Sequence, residues 1–179
     1  QGKLGRRRKD VLRPFLAGRT EALYILDVRP AAPAEPGDWP APMAAPAVLA
    51  TMKSFISSCG LWDGTGCFHR AAAFDSGRGE FLARAEDIGR HNCLDRLAGW
   101  ALTTGEDLGR LALFVSARIT ASLMDKARRA GFRVLVSRSA VTTASVEAAR
   151  EHGLTLVGFA RSEEERFTVF NDPRGWVTE

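Results

Sequence analysis

The stretch "RLALFVSARITASLMDKARRAGFRVLVSRSAVTTASVEAAREHGLTLVGFA", Arg110 to Ala160, decides the fold. It holds three short apolar runs, Arg110–Ser116, Arg133–Ser137 and Leu154–Ala160, each rich in Leu, Val or Phe and too short for a helix. The intervening segments carry helical signals. In the first, Thr120 stands as N-cap, Leu123, Met124 and Ala127 recur at helical spacing, and Gly131 supplies the stop. In the second, either Thr142 or Thr143 caps the start and Gly153 closes the end. Strand, helix, strand, helix, strand with short joints is the pattern of parallel strands covered by helices. The chain is therefore predicted to be α/β, a layered fold with a mostly parallel sheet and helices on its faces.

Outward from this block the signals weaken. Upstream, "FLARA" (Phe81–Ala85) alternates like a strand. It runs into "EDIGRHNCLDRLAG" (Glu86–Gly99), which opens a helix with Leu94, Leu97, Ala98 and Ala101 on one face. Downstream, "RFTVF" (Arg166–Phe170) reads as a further strand, antiparallel at the edge. Pro46 suits the first turn of a helix continuing through "AVLATMKSF". Before it, Arg29 to Pro46 contains six prolines and reads as a linker or mobile loop. Still earlier, "ALYILDV" (Ala22–Val28) is an apolar strand candidate.

A chain of 179 residues, 45% apolar and 26% charged, fits one domain with an appendage. No run of eighteen apolar residues is present, so no membrane span is expected. The basic start "QGKLGRRRKD" is not followed by the apolar stretch of a secretory signal, and with no initiating methionine it reads as part of a longer chain. Three cysteines, Cys59, Cys67 and Cys93, form no CxxC pair, which fits a reducing, cytoplasmic setting better than a disulfide or zinc framework. The run Arg6–Lys9 lacks interleaved aromatics and reads as a solvated face, so no nucleic-acid partner is expected. Net charge is +4, carried mainly by arginine, because only Lys3, Lys9, Lys53 and Lys126 are lysines. The planar guanidinium suits bidentate contact with phosphate or carboxylate.

In open α/β sheets, ligands lie beyond the carboxyl ends of the strands. Each expected strand end carries an arginine: Arg90, with His91 and Asn92, after "FLARA"; Arg118 after "LALFVS"; Arg138 after "RVLVS"; Arg161 after "LTLVGFA". Two of these corners also open helices, whose free amides favour anions. A phosphate-bearing ligand is expected there, held by the four arginines and hydrogen-bonded by Thr65, Gly66, His69, Asn92, Ser139 and Thr142. The bland alternative has Glu86 and Asp87 neutralising Arg90 in a structural network. His69, after the Thr65–Gly66 turn, serves a ligand, a proton transfer or the core. Asp95 is placed to orient a histidine or an arginine.

From about Pro46 to Arg174 the chain resembles the FdhD family, the formate dehydrogenase accessory proteins. The resemblance rests on "TGCFH" (Thr65–His69), "EDIGRHNCLDRLAG", "SARIT" (Ser116–Thr120), "SRSAVTTASVEAA" (Ser137–Ala149) and "GLTLVGFAR" (Gly153–Arg161), in that order. It implies a cytidine-deaminase-like core over residues 46–179, with residues 1–45 a remnant of an N-terminal subdomain plus the Pro-rich loop. It also implies a role in maturing formate dehydrogenase. Sulfur would pass from a cysteine desulfurase, as a persulfide, to bound Mo-bis(molybdopterin guanine dinucleotide), and the protein would act as a homodimer partnered by the dehydrogenase catalytic subunit. The family's cofactor-contact stretch maps onto Phe159, Ala160, Arg161, Ser162, Glu163 and Glu164. The family's CGxCG sulfur-transfer loop has no counterpart in this sequence, so no catalytic residue is assigned. "SSCGLW" (Ser57–Trp62) belongs by position to the helix before the TGxxH turn, and Cys67, beside His69, is the best placed of the three thiols. The alternative is a cofactor-binding escort or paralogue without sulfurtransferase activity. A deaminase is disfavoured, because the His-x-Glu and Pro-Cys-x-x-Cys zinc motifs are missing and no metal is expected.

Overall fold

The computed structural model describes residues 39–58 and 60–179, apart from the side chain of Trp62. The strand expected at Ala22–Val28, the Arg6–Lys9 run, most of the Pro-rich segment and Cys59 lie outside the described residues.

A two-residue strand β1 (Met43–Ala44) leads into helix α1 (Ala45–Ser57), with Pro46 in its first turn as expected. A short helix α2 (Leu61–Thr65) follows. The antiparallel pair β2 (His69–Asp75) and β3 (Glu80–Asp87) then feeds helix α3 (Arg90–Thr104). The stretch from Arg110 to Ala160 folds as β4 (Ala112–Val115), α4 (Ala121–Ala130), β5 (Val134–Ser137), α5 (Thr143–Glu151) and β6 (Thr155–Arg161), the last running one residue beyond it. Strand β7 (Arg166–Asn171) turns back along β6, and β8 (Val177–Thr178) pairs with β1.

The main sheet has the order β3-β2-β4-β5-β6-β7. Only β4–β5 and β5–β6 are parallel neighbours; β3–β2, β2–β4 and β6–β7 are antiparallel. Because β2 is reversed against both its neighbours, β3, β4, β5 and β6 nevertheless all point the same way. Strand β2 carries no strand signal of its own in the sequence. Its Ala71, Ala72 and Ala73 are buried on both faces, where their small side chains let helices approach closely from either side.

Alternation along the central strands builds two cores. Leu113, Leu135 and Leu156 face α3, α4 and α5, meeting Leu94, Leu97, Leu123, Met124 and Ala149. Phe114, Val136 and Val157 face the other way, onto Val48, Met52 and Phe55 of α1 and onto Trp176. Burying each such large side chain contributes about 1.5–3 kcal/mol. The result is three layers, helix–sheet–helix, with one edge of the sheet gathering the carboxyl ends of four strands.

Candidate functional site

The shared strand direction puts Asp87, Val115, Ser137 and Arg161 on one rim, together with the amino ends of β2 and β7, since His69 lies opposite Asp87 and Arg166 opposite Arg161. Neighbouring strands are about 4.8 Å apart. From β3 to β6 the rim therefore spans four spacings, roughly 19 Å.

At its α3 end the rim carries one arginine, Arg90, without an acid partner among the described residues. Glu86 and Asp87 do not neutralise Arg90. Glu86 instead accepts from Arg70 Nε at 2.5 Å and from the Leu61 N–H at 2.7 Å. Arg70, one of few buried charges, also donates to Asp63 Oδ2 and to the Ile56 carbonyl, both at 2.7 Å. Asp87 accepts from the Gly89 N–H and Asn92 Nδ2 at 3.0 Å and from Arg96 Nε at 2.9 Å. Burial works against charge on Asp87, but these bonds outweigh it and hold its carboxyl below the usual range. Among the described residues, Arg90 has no acid partner and its buried Nε–H finds no acceptor. Helix α3 starts at this arginine with Gly89 as N-cap, no side-chain cap and no acid in its first turn, which leaves the positive dipole end open.

Two histidines flank Arg90. Burial, and then the Arg90 charge, push the His69 imidazole below its ordinary value. His91 is lowered by burial, Arg90 and Lys126, with Asp95 opposing. Among the described residues Asp95 serves a lysine rather than a histidine or an arginine: it accepts from Lys126 Nζ at 2.6 Å, which also donates to the His91 carbonyl at 3.3 Å. Cys93 donates from Sγ to the His69 carbonyl at 3.4 Å, and burial pushes its thiol up to about 12. Cys67 is exposed at the same corner. Thr65 closes α2 with its hydroxyl on the Leu61 carbonyl, and Gly66 follows at φ +66°. The hydroxyl of Thr65 and the amide nitrogen of Asn92 are thus engaged within the protein.

The β4–β6 end has a different balance. Arg118 is exposed between β4 and α4 and has no acid partner among the described residues. Thr120 caps α4, and Thr142, rather than Thr143, caps α5 in a reciprocal box with Ser145. Ser137 ties the two loops: its hydroxyl donates to the Ala117 carbonyl at 2.8 Å and accepts the Ser139 N–H at 2.9 Å. Arg138 pairs with Glu163, and Arg161 pairs with Glu164 at 2.7 Å. The strand ends marked Arg138 and Arg161, and the family resemblance Glu163 and Glu164, without showing their pairing. Between them the β6–β7 register shifts, and Phe159 adopts φ +53° with its N–H on the Ser139 carbonyl at 3.0 Å. Ala160 is buried in the α1-side core, and Ser162–Glu164 form a short 3-10 turn. A separate groove of about 330 Å³, bounded by Leu82, Arg84, Arg96 and Trp100, lies along the free edge of β3 rather than over this rim.

Residues 9–176 match the model of the FdhD/NarQ family. The chain belongs to this family. The relatives include Protein FdhD of Methanocaldococcus jannaschii, 36% identical over 72% of this chain and 56% of that protein. Sulfur carrier protein FdhD of Mycolicibacterium paratuberculosis is 36% identical over 89% of this chain and 60% of its own. The chain thus spans about half the length of the curated FdhD relatives it matches. A crystal structure assigned to a formate dehydrogenase accessory protein from Desulfotalea psychrophila superposes with a TM-score of 0.69 at 25% identity, covering 78% of this chain and 58% of that one. The FdhD resemblance read from the ordered motifs is therefore the family of the chain, and the layered α/β fold is shared with it.

Proposed function

We propose that this chain is the cargo-handling core of a formate dehydrogenase accessory protein, which holds Mo-bis(molybdopterin guanine dinucleotide) along the strand-end rim while the cofactor is readied for the dehydrogenase catalytic subunit. One observation carries the reading. Among the described residues, Arg90 and Arg118 stand on the same rim with no carboxylate beside them and the buried Arg90 Nε–H has no acceptor. A buried, unpaired guanidinium donor is costly unless an anion supplies the missing acceptor, and pyrophosphate does so. The relatives named sulfur carrier proteins favour a persulfide step with sulfur from a cysteine desulfurase. The escort alternative draws on the thiols: Cys93 is buried and inert, and neither Cys67 nor Cys59 belongs to a CxxC pair. A cytoplasmic homodimer is part of the same reading.

Titration of GDP, which carries the nucleotide end of this cargo, tests the binding. The wild type is expected to bind it, guanosine is expected not to, and Arg118→Gln is expected to weaken GDP and flatten its salt dependence. Equal binding of guanosine and GDP would remove the anion reading. Incubation with a cysteine desulfurase and cysteine, followed by mass spectrometry, separates the two variants of the proposal: a persulfide on a cysteine of this chain supports sulfur transfer, and unlabelled thiols support the escort.

A further inference from the structure

The edge of the sheet formed by β3 lies apart from the rim, and the cargo makes no use of it. Among the described residues β3 pairs only with β2, so its outer N–H and C=O groups are open to a further strand. The strand is eight residues long and holds no proline, the residue that would block a new ladder. Its register with β2 slips between Ala73 and Phe74, which leaves Leu82 opposite no residue of β2 and turns it to the α3 side beside Ala83. Over residues 83–87 the pairing is regular, so the outer edge there is even.

The two sides of this edge call for different side chains. On the α3 side, Leu82, Leu97 and half-buried Trp100 wall the groove of about 330 Å³. On the α1 side stands Arg84. Its guanidinium lies 4.0 Å from the Phe81 ring centroid and its Nη1 donates to Ser58 Oγ at 3.2 Å, so the charge is held in place before any partner arrives. Among the described residues Arg84 has no acid partner, because Glu86, two residues along, is taken by Arg70 and the Leu61 N–H. Burial, and then the Arg70 charge, lower the pKa of Arg84, and a carboxylate brought beside it would offset both. Successive side chains of an added strand go to opposite faces, so a residue that fills the groove is followed by one that meets Arg84.

We propose that the β3 edge is a docking site for an extended segment of a partner protein, in which an acidic residue between two apolar ones adds as a strand along residues 83–87, the acid meeting Arg84 and an apolar neighbour filling the groove beside Trp100. The main-chain ladder supplies the attachment, and the alternation of side chains supplies the selectivity. A second copy of this chain fits the edge less well, because a two-fold contact would set the same unneutralised arginine against its own patch.

NMR titration of the isotope-labelled full chain with the end-blocked peptide Thr-Val-Leu-Glu-Val-Thr-Ser tests the proposal. The peptide is expected to shift the amide signals of residues 82–87 and the Trp100 indole N–H, and to slow hydrogen exchange along β3. Arg84→Glu, at an exposed position, is expected to weaken this peptide at least about threefold and to strengthen binding of its analogue with Lys in place of Glu. Of two peptides N-methylated on alternate amides, one is expected to lose binding and the other to keep it, the signature of a strand paired along a single edge. Equal binding of the Glu and Lys peptides by the wild type, or of the two methylated forms, overturns the proposal. So does the absence of any shift at millimolar peptide. Self-association that protects the same amides in the protein alone gives the edge to a second copy and overturns it as well. None of these outcomes bears on the cargo reading, which the GDP titration decides.

Discussion

A histidine held against an arginine gives up its proton early, and two imidazoles here share that neighbour. His69 and His91 both sit below their ordinary value of 6.5, through burial first and the Arg90 charge second, with Lys126 and Asp95 also acting on His91. The unfolded chain therefore binds more protons than the folded one in the window just below 6.5, so stability rises with pH through that window and falls as the solution is acidified. An anion at this corner reverses the penalty by favouring the charged imidazoles. Sulfate should accordingly raise Tm more at pH ~5.5 than at pH ~7.5, and the double variant His69→Gln, His91→Gln should lose the difference. An equal sulfate effect at both pH values would detach the histidines from the site. The thiols at the same corner divide just as sharply. Iodoacetamide at mildly alkaline pH should alkylate exposed Cys67 and leave Cys93 untouched in the folded protein, as read by peptide mass spectrometry, because a thiol raised to about 12 presents almost no thiolate.

At the scale of the element, packing against neighbours decides what propensity leaves open. Gly158 sits where β6 passes between Val141 and Phe170, and an added methyl would overlap both. Gly158→Ala should cost about 1–3 kcal/mol, measured as a lowered urea midpoint at unchanged slope; an unaltered midpoint would mean that the loop bearing Val141 yields freely. The same distinction governs what the sequence disclosed. Strands β4, β5 and β6, the caps Thr120 and Gly131 and the first-turn Pro46 are written locally, in apolar runs and end residues, and all are found where expected. Strand β2 is not, because alanine becomes a strand residue here only through burial between two helix layers. Charge partners were equally hidden. Arg70 lies directly opposite Glu86 in the β2–β3 register, so the acid expected to serve Arg90 is taken by a residue sixteen positions earlier. The corner arginines could be read from strand ends, but which of them remain unneutralised depends on contacts that the order of residues does not state.

For the molecule as a whole, the sheet is assembled from two locally connected parts. The β2–β3 hairpin with α3 is one, and β4 through β7 is the other. They meet where β2 lies against β4, along Ala71–Phe74 and Ala112–Val115. Beyond that ladder, the Ser116 hydroxyl accepts the Arg70 N–H at 2.9 Å and the Ser116 N–H donates to the Arg70 carbonyl at 3.0 Å, across 46 residues of chain. Closing so long a loop is entropically unfavourable before its contacts form, so this junction belongs late in folding. Ser116→Ala, at a cost of about 1 kcal/mol, should speed unfolding and leave the folding rate nearly unchanged in a chevron measurement; a slowed folding rate would put the junction in the nucleus. The junction also divides the mouth of the sheet, with Arg90 and His69 on one bank and Arg118 and Phe159 on the other. Cargo long enough to touch both banks is a bridge that must be broken before the halves can part, whereas a mononucleotide moored to one bank is not. On the proposed function, binding of such a cargo is expected to make the protein longer-lived against opening and limited proteolysis than the empty form.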